Sequence, residues 1–344
     1  MEMPRLLSVA TAVPPIAFHR DTVSAFALDL FGAEAERLLP IFVNSGVDSR
    51  RSCVALDWYR HPHGWAERSA LFVNHAVPLA ASAAQAALER AGLGEAEVDA
   101  VVAVTTSGVC TPSLDALLIE RMGLRRDVGR LPVFGLGCAG GALGLARAAE
   151  IARARPGRHV LLVVVELCGL TFRAADMSKS NLVATALFGD GAAAAVVCSR
   201  GAGPRISAWG EHTWPDTLDV MDWHVEDDGF GVQFSRDIPT LVRQRFRPAL
   251  VDWLRPLGLE PADLDGHALH PGGAKVLSAL EDALGLADGH LAAEREVLRD
   301  FGNMSAATVL FVLDRVLRAP LPARTLVGAL GPGFTAGFLL LERP

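Results

Sequence analysis

The chain has 344 residues, 51% of them hydrophobic and 21% charged, with a formal net charge of −7. At about 150 residues per domain this is roughly two domains or one large α/β unit, and the composition excludes disorder, collagen and coiled coil. An acidic balance without a Lys/Arg stripe argues against nucleic-acid binding, and Arg50-Arg51 and Arg125-Arg126 read as surface charge.

In chain order, residues 1–18 lack a basic start followed by an unbroken apolar run, so no signal peptide is expected. Residues 78–90 read as a helix with Pro78 in its first turn, stopped by Gly92 and Gly94. A buried strand at 98–104 runs into Thr105-Thr106-Ser107-Gly108, followed by a helix at 114–122 and a short strand at 131–134. A glycine-rich turn then precedes a helix from about 142 to 155, and strands at 159–166 and 192–198 close the first half. The weakest seam lies at 201–204 and divides an N-terminal half, residues 1–203, from a C-terminal half, residues 204–344. Beyond it the pattern predicts helices at 243–254, 274–284 and 305–316, and strands at 266–270, 325–330 and 338–341. Strands apolar on both faces, alternating with Ala-rich helices, imply α/β sheets covered on both sides.

A mean hydropathy of +0.30 raises the question of a membrane span. The most apolar runs, residues 160–165 and 338–341, fall far short of the ~18–20 residues a bilayer helix needs, so no span is expected. Five cysteines (Cys53, Cys110, Cys138, Cys168, Cys198) without CxxC spacing fit a reducing cytoplasm better than a disulfide frame or a metal site.

The turn Gly135-Leu136-Gly137-Cys138-Ala139-Gly140-Gly141 supports two readings. Its G-x-G-x-x-G, between strand and helix, fits a dinucleotide cradle, with Glu166 as the ribose-binding acid of an NAD-linked oxidoreductase. Alternatively Cys138 is a nucleophile, its thiolate favoured by the positive end of the following helix. The second reading has partners. His270 ends a strand before Pro271-Gly272-Gly273, and Asn303 precedes the helix that begins near Ser305. Cys, His and Asn at sheet-end junctions form a constellation suited to thiol acyl transfer, with His as base and His and Asn N–H groups as oxyanion donors. Singly, Cys138 reads as a buried thiol, His270 as a core histidine and Asn303 as a helix cap.

Several motifs fall in one order: Gly137-Cys138-Ala139-Gly140-Gly141, Ala186-Leu187-Phe188-Gly189-Asp190-Gly191-Ala192, His270-Pro271-Gly272-Gly273, Gly302-Asn303-Met304-Ser305 and Gly331-Pro332-Gly333. With them the chain resembles the type III polyketide synthases, the chalcone and stilbene synthase family. The resemblance implies a thiolase-like fold of two related α/β halves in α-β-α-β-α layers, working as a homodimer. It implies that Cys138 takes an acyl-CoA starter, that His270 pairs with its thiolate, and that His270 and Asn303 stabilise the enolate formed from malonyl-CoA. No metal or redox cofactor is implied, only coenzyme A thioesters as substrates. Phe188 matches a gatekeeping phenylalanine, and Thr106, Thr171 and Ser305 match positions that line the cavity. Trp223 stands where the plant enzymes have a cavity glycine, and Val232 where they have a second gatekeeper. Gly333 belongs to the C-terminal turn. Arg50 and Arg51 are the nearest candidates for CoA phosphate contacts. Ketoacyl-carrier-protein synthase III enzymes share Cys, His and Asn, but they carry a Gln-Ala-Asn run after the histidine and lack the Gly-Pro-Gly turn. The segments Gly46-Val47-Asp48-Ser49-Arg50 and His63-Gly64-Trp65-Ala66-Glu67-Arg68 resemble bacterial alkylresorcinol and alkylpyrone synthases, which implies fatty-acyl starters extended by malonyl units and then cyclised.

Overall fold

The computed structural model describes residues 2–235 and 237–343. The first half contains β1 (Arg5–Ala12), β2 (Ile16–His19), α1 (Arg20–Phe31), α2 (Ala33–Asn44), β3 (Ser49–Ser52), α3 (Trp65–Ala91) and β4 (Val98–Thr105). It continues with α4 (Leu114–Met122), β5 (Gly129–Phe134), α5 (Gly140–Ala154), β6 (His159–Leu167), α6 (Lys179–Leu187) and β7 (Asp190–Cys198). The second half holds β8 (Arg205–Thr213), a hairpin of β9 (Met221–Glu226) and β10 (Gly229–Phe234), α7 (Ile238–Leu241) and α8 (Arg247–Leu254). A single π-helical turn, Val242–Phe246, joins α7 to α8. The chain closes with β11 (Gly266–Leu269), α9 (Ala274–Leu284), α10 (Ala292–Phe301), α11 (Thr308–Val316), β12 (Arg324–Gly331) and β13 (Thr335–Glu342).

The strands lie in the order β11-β12-β13-β8-β1-β7-β6-β4-β5. β1 and β8 meet only through Arg5 and Arg205, so two sheets are joined at one corner. Their pairing repeats. In the first, β1–β7 and β7–β6 are antiparallel and β6–β4 is parallel. In the second, β8–β13 and β13–β12 are antiparallel and β12–β11 is parallel. The segment 201–204 carries the chain from one sheet to the other.

Alternation along the strands divides the core into layers. Val102, Val104, Leu162, Val164, Ala193 and Ala195 face inward, with Val327 and Leu339 facing them from the second sheet. Val101, Ala103, Leu161, Val163 and Ala194 face the opposite side and pack under α3 and α4. Leu326, Phe338 and Leu340 pack under α8 and α9. Between the sheets run α5 and α11. α5 is buried on nearly every side, from Gly140 to Ala152, as a helix in a central layer must be. The result is the thiolase-like α-β-α-β-α stack.

Three expectations change, the first being that the helix expected at 243–254 opens as the π-helical turn Val242–Phe246 before α8. The helix expected at 78–90 begins at Trp65 and runs for 27 residues, with Pro78 inside it. Pro78 and Asn74 lie on the exposed face, where water satisfies the carbonyl that proline leaves unpaired. By length and composition this α3 could cross a membrane, but Phe72, Ala76, Ala80, Ala83 and Ala87 are buried along the first sheet. The helix expected from Ser305 starts at Thr308, after a tight turn over Ser305–Ala307.

α5 meets this turn without a spacer. A Cβ on Gly141 would fall inside the van der Waals radius of the Ala306 carbonyl oxygen and against Val309. Helix propensity alone makes Gly141→Ala stabilising by about 1 kcal/mol. The contact reverses the sign, and we expect Gly141→Ala to destabilise by about 1–3 kcal/mol through overpacking. Thermal unfolding measures it; an unchanged or raised midpoint contradicts the packing.

Candidate active site

Cys138 lies in a tight turn, Gly137–Ala139, that leads β5 into α5. Three supports hold this turn. Gly137 has φ +47°, and its missing side chain lets Pro332 pack directly on it. Its N–H donates to Thr106 Oγ1 at 2.9 Å. Gly331 in turn abuts the Leu136 carbonyl and Ala139, so the C-terminal Gly-Pro-Gly turn braces the nucleophile turn from the other half.

Asn303 approaches from the second half, tied to the segment at Phe188 between α6 and β7. Its N–H donates to the Leu187 carbonyl at 2.8 Å, and its own carbonyl accepts from Gly189 N–H at 3.0 Å. Ser305, with φ +47°, turns its N–H back to Asn303 Oδ1 at 2.8 Å. That fixes the amide orientation: Nδ2 points toward the Gly272 carbonyl at 3.4 Å, and Oδ1 lies 4.0 Å from Cys138 Sγ. His270 follows β11, and its N–H is bonded to the Gly328 carbonyl at 2.8 Å. Both of its ring nitrogens are buried without a protein partner.

Cys138, His270 and Asn303 line one cavity of about 640 Å³. Its other walls are mostly apolar, among them Val183, Leu187, Met221, Phe234, Ile238 and Leu330. Lys179 and Lys275, both exposed, also line it, and they are the chain's two lysines. The sequence carried a signal for them, because arginine supplies every other positive side chain.

Burial pushes the Cys138 thiol up to about 12, against smaller downward pulls from Ser305 and Asn303. It pushes the His270 imidazole down to about 3. The expected lowering of the thiol pKa by the helix end is thus outweighed by desolvation. A lone thiolate or a lone imidazolium is disfavoured here; the two charges are admissible together, after a proton passes from Sγ to the ring.

The remaining sequence candidates separate. Phe188, Thr171 and Val232 line a second, small apolar cavity beside the first. Trp223 lies 6.3 Å from the Phe188 ring, tilted by 37°. Thr106 and Ser305 do not line the Cys138 cavity; they hold the turn and the asparagine, as described. Gly333, with φ +68°, donates to the Met221 carbonyl at 3.3 Å and shapes the C-terminal turn. Arg50 is a correction: it is buried, and its guanidinium donates to the carbonyls of Thr185, Ala186 and Phe188, so it is spent on α6 and unavailable to a phosphate. Arg51 lines the small cavity and not the one at Cys138. Glu166 is also corrected. It is fully buried, and Oε2 accepts from Thr106 N–H, Ser107 N–H and Ser107 Oγ at 3.0, 2.9 and 2.6 Å. No ribose can reach it, and Pro332 and Ala306 pack against Gly137 and Gly141, where a cradle would need space for a pyrophosphate.

Two family models match the chain: chalcone and stilbene synthases, N-terminal domain, over residues 61–204, and the C-terminal domain of the same family over residues 207–342. The chain belongs to the chalcone and stilbene synthase family. It is 40% identical to a 1,3,6,8-tetrahydroxynaphthalene synthase of Streptomyces peucetius subsp. caesius, covering 97% of this chain and 92% of that one. It is 36% identical to a putative chalcone synthase of Bacillus subtilis (strain 168), covering 98% of both. Among solved structures it is similar to the tetrahydroxynaphthalene synthase of Streptomyces coelicolor A3(2), a bacterial type III polyketide synthase. That match has a TM-score of 0.94 and 28% identity over 98% of this chain and 99% of the other. This chain is a type III polyketide synthase, an acyltransferase of the decarboxylating Claisen type that uses acyl-CoA and malonyl-CoA.

The paired requirement predicts how the thiol reacts. Alkylation of Cys138 by iodoacetamide in wild type is expected near neutral pH. In His270→Ala, with no proton acceptor, the rate at pH 7 should fall by at least about tenfold and recover only in strong alkali. Equal rates in both proteins would show that His270 does not take the proton.

Proposed function

We propose that this enzyme loads a fatty-acyl starter on Cys138, extends it with malonyl units and cyclises it to an alkylresorcinol or alkylpyrone. The observation that carries the choice of starter is the roomy, apolar cavity at Cys138. His270 takes the Sγ proton, the thiolate attacks the starter thioester, and CoA leaves as the thiol with a proton returned. Malonyl-CoA then loses CO₂, and the pair of electrons left behind forms an enolate whose oxygen His270 and Asn303 Nδ2 stabilise. The enolate carbon attacks the Cys138 thioester; a C–C bond forms, the C–S bond breaks, and the lengthened acyl-CoA can reload. The reaction as written needs CoA thioesters and no resident cofactor.

Lys179 and Lys275 replace Arg50 and Arg51 as the groups for CoA phosphates, since exposed ammonium groups beside the cavity suit them. Two copies would pair along the open edge at β5, where Phe134 and Val109 are exposed; light scattering that finds only monomer contradicts this. All five cysteines are free, which suits a reducing cytoplasm.

The names of two relatives favour a second reading, in which malonyl-CoA is itself the starter and the product is a tetrahydroxynaphthalene. Incubation with malonyl-CoA, with and without dodecanoyl-CoA, separates them by product mass. We expect products that carry the dodecanoyl chain and none from malonyl-CoA alone; a naphthol from malonyl-CoA alone overturns the fatty-acyl reading. In the same assay, removing both lysines (Lys179→Ala with Lys275→Ala) should raise KM for acyl-CoA about tenfold or more with kcat held, since each charge-assisted phosphate contact contributes ~1.5–3 kcal/mol.

A further inference from the structure

The segment His63-Gly64-Trp65-Ala66-Glu67-Arg68 has no part in the chemistry above, yet it grips the cavity wall. β9 and β10 pair with each other and with no other described strand. A two-stranded hairpin is marginal by itself, so its position depends on what holds it. Trp65 Nε1–H donates to the Glu226 carbonyl at 2.7 Å. Arg68 Nε–H donates to the Asp228 carbonyl at 2.8 Å and the His63 carbonyl at 3.1 Å. Its Nη1 reaches the carbonyls of Leu170 and Phe172 in the loop after β6. Arg68 is only 6% exposed, and its acceptors here are backbone carbonyls. It brackets the hairpin tip against that loop.

From this bracket a column of rings runs inward. Trp65 stands edge-on to Phe230 at 4.8 Å and 84°. Phe230 lies 5.5 Å from Trp223, and Trp223 lies 6.3 Å from Phe188. Phe188 and Val232 line the small cavity, while their neighbours Leu187 and Phe234 line the cavity at Cys138. The column therefore backs the partition between the two spaces.

We propose that Trp65 and Arg68 are positioning residues that set the acyl-chain length the enzyme accepts, by holding the β9–β10 hairpin against Phe188. This rests on the acyl-CoA reading of the Cys138 cavity. Neither residue touches substrate. With the bracket loosened, Trp223 and Phe188 can retreat and the two spaces merge.

The test measures kcat/KM for dodecanoyl-CoA relative to butanoyl-CoA, with malonyl-CoA decarboxylation as an independent readout. Trp65→Ala is expected to raise the ratio about tenfold, the scale of a change in fit of a methylene or two, with decarboxylation within about twofold of wild type. Trp65→Phe keeps the ring on Phe230 and should restore the wild-type ratio. Arg68→Lys, a milder lesion that reaches fewer carbonyls, should move the ratio in the same direction by about threefold, and it decides the matter if Trp65→Ala does not fold. A ratio within about twofold of wild type in these variants, with only stability or overall rate lowered, overturns the proposal. Wild type that releases CoA from neither acyl-CoA would instead overturn the function on which it rests.

Discussion

The structure depends on the contact between two turns in its central layer. α5 and α11 run between the sheets, and where α5 begins nothing larger than glycine fits against the Ala306 carbonyl. That lack of space brings the turn carrying Cys138, from the first half, to the turn carrying Asn303, from the second. The same closeness appears at the C-terminal Gly-Pro-Gly turn, where Pro332 rests on Gly137. A nucleophile and its oxyanion donor, 165 residues apart in the chain, are therefore positioned by backbone-to-backbone packing. Such packing leaves little freedom for either side chain to drift.

Burial then shapes the chemistry. A dry site strengthens every hydrogen bond to a developing charge, but it also penalises any charge left alone. The thiol and the imidazole here are both pushed toward neutrality, so charge appears in the pair, by proton transfer, and is met by donors already in place. Asn303 shows the preparation. Ser305 adopts an unfavourable left-handed conformation, and the N–H it turns inward holds Oδ1, so Nδ2 is the donor end, with one N–H toward the Gly272 carbonyl and the other left to give. Strain of this kind persists where surrounding packing enforces it.

Much of this was legible in the sequence, for identifiable reasons. Unbroken apolar runs marked β4, β6 and β7, because strands buried on both faces tolerate little besides Val, Leu and Ala. The bounds expected for α4, 114–122, and α9, 274–284, are those the structure shows. Cys138, His270 and Asn303 stood out because each sits at a junction between sheet and helix. What was not legible depends on tertiary contact. Pro78 looked like a helix start because sequence does not show that its face is solvated. Arg50 looked like a phosphate ligand because only the fold reveals the three carbonyls it caps. Thr106 and Ser305 were read as cavity lining, whereas their bonds go to the Cys138 turn and to Asn303. The lysines were visible as a composition, but their convergence on one cavity was not.

The central claim is that Cys138 is the thiol on which the acyl chain is built. The direct measurement is intact-protein and peptide mass spectrometry after brief exposure to dodecanoyl-CoA. The account predicts one dodecanoyl adduct, located on Cys138 and absent from Cys138→Ala, with Cys53 and Cys168 unmodified. An adduct on another cysteine, or polyketide formed by Cys138→Ala, would contradict it.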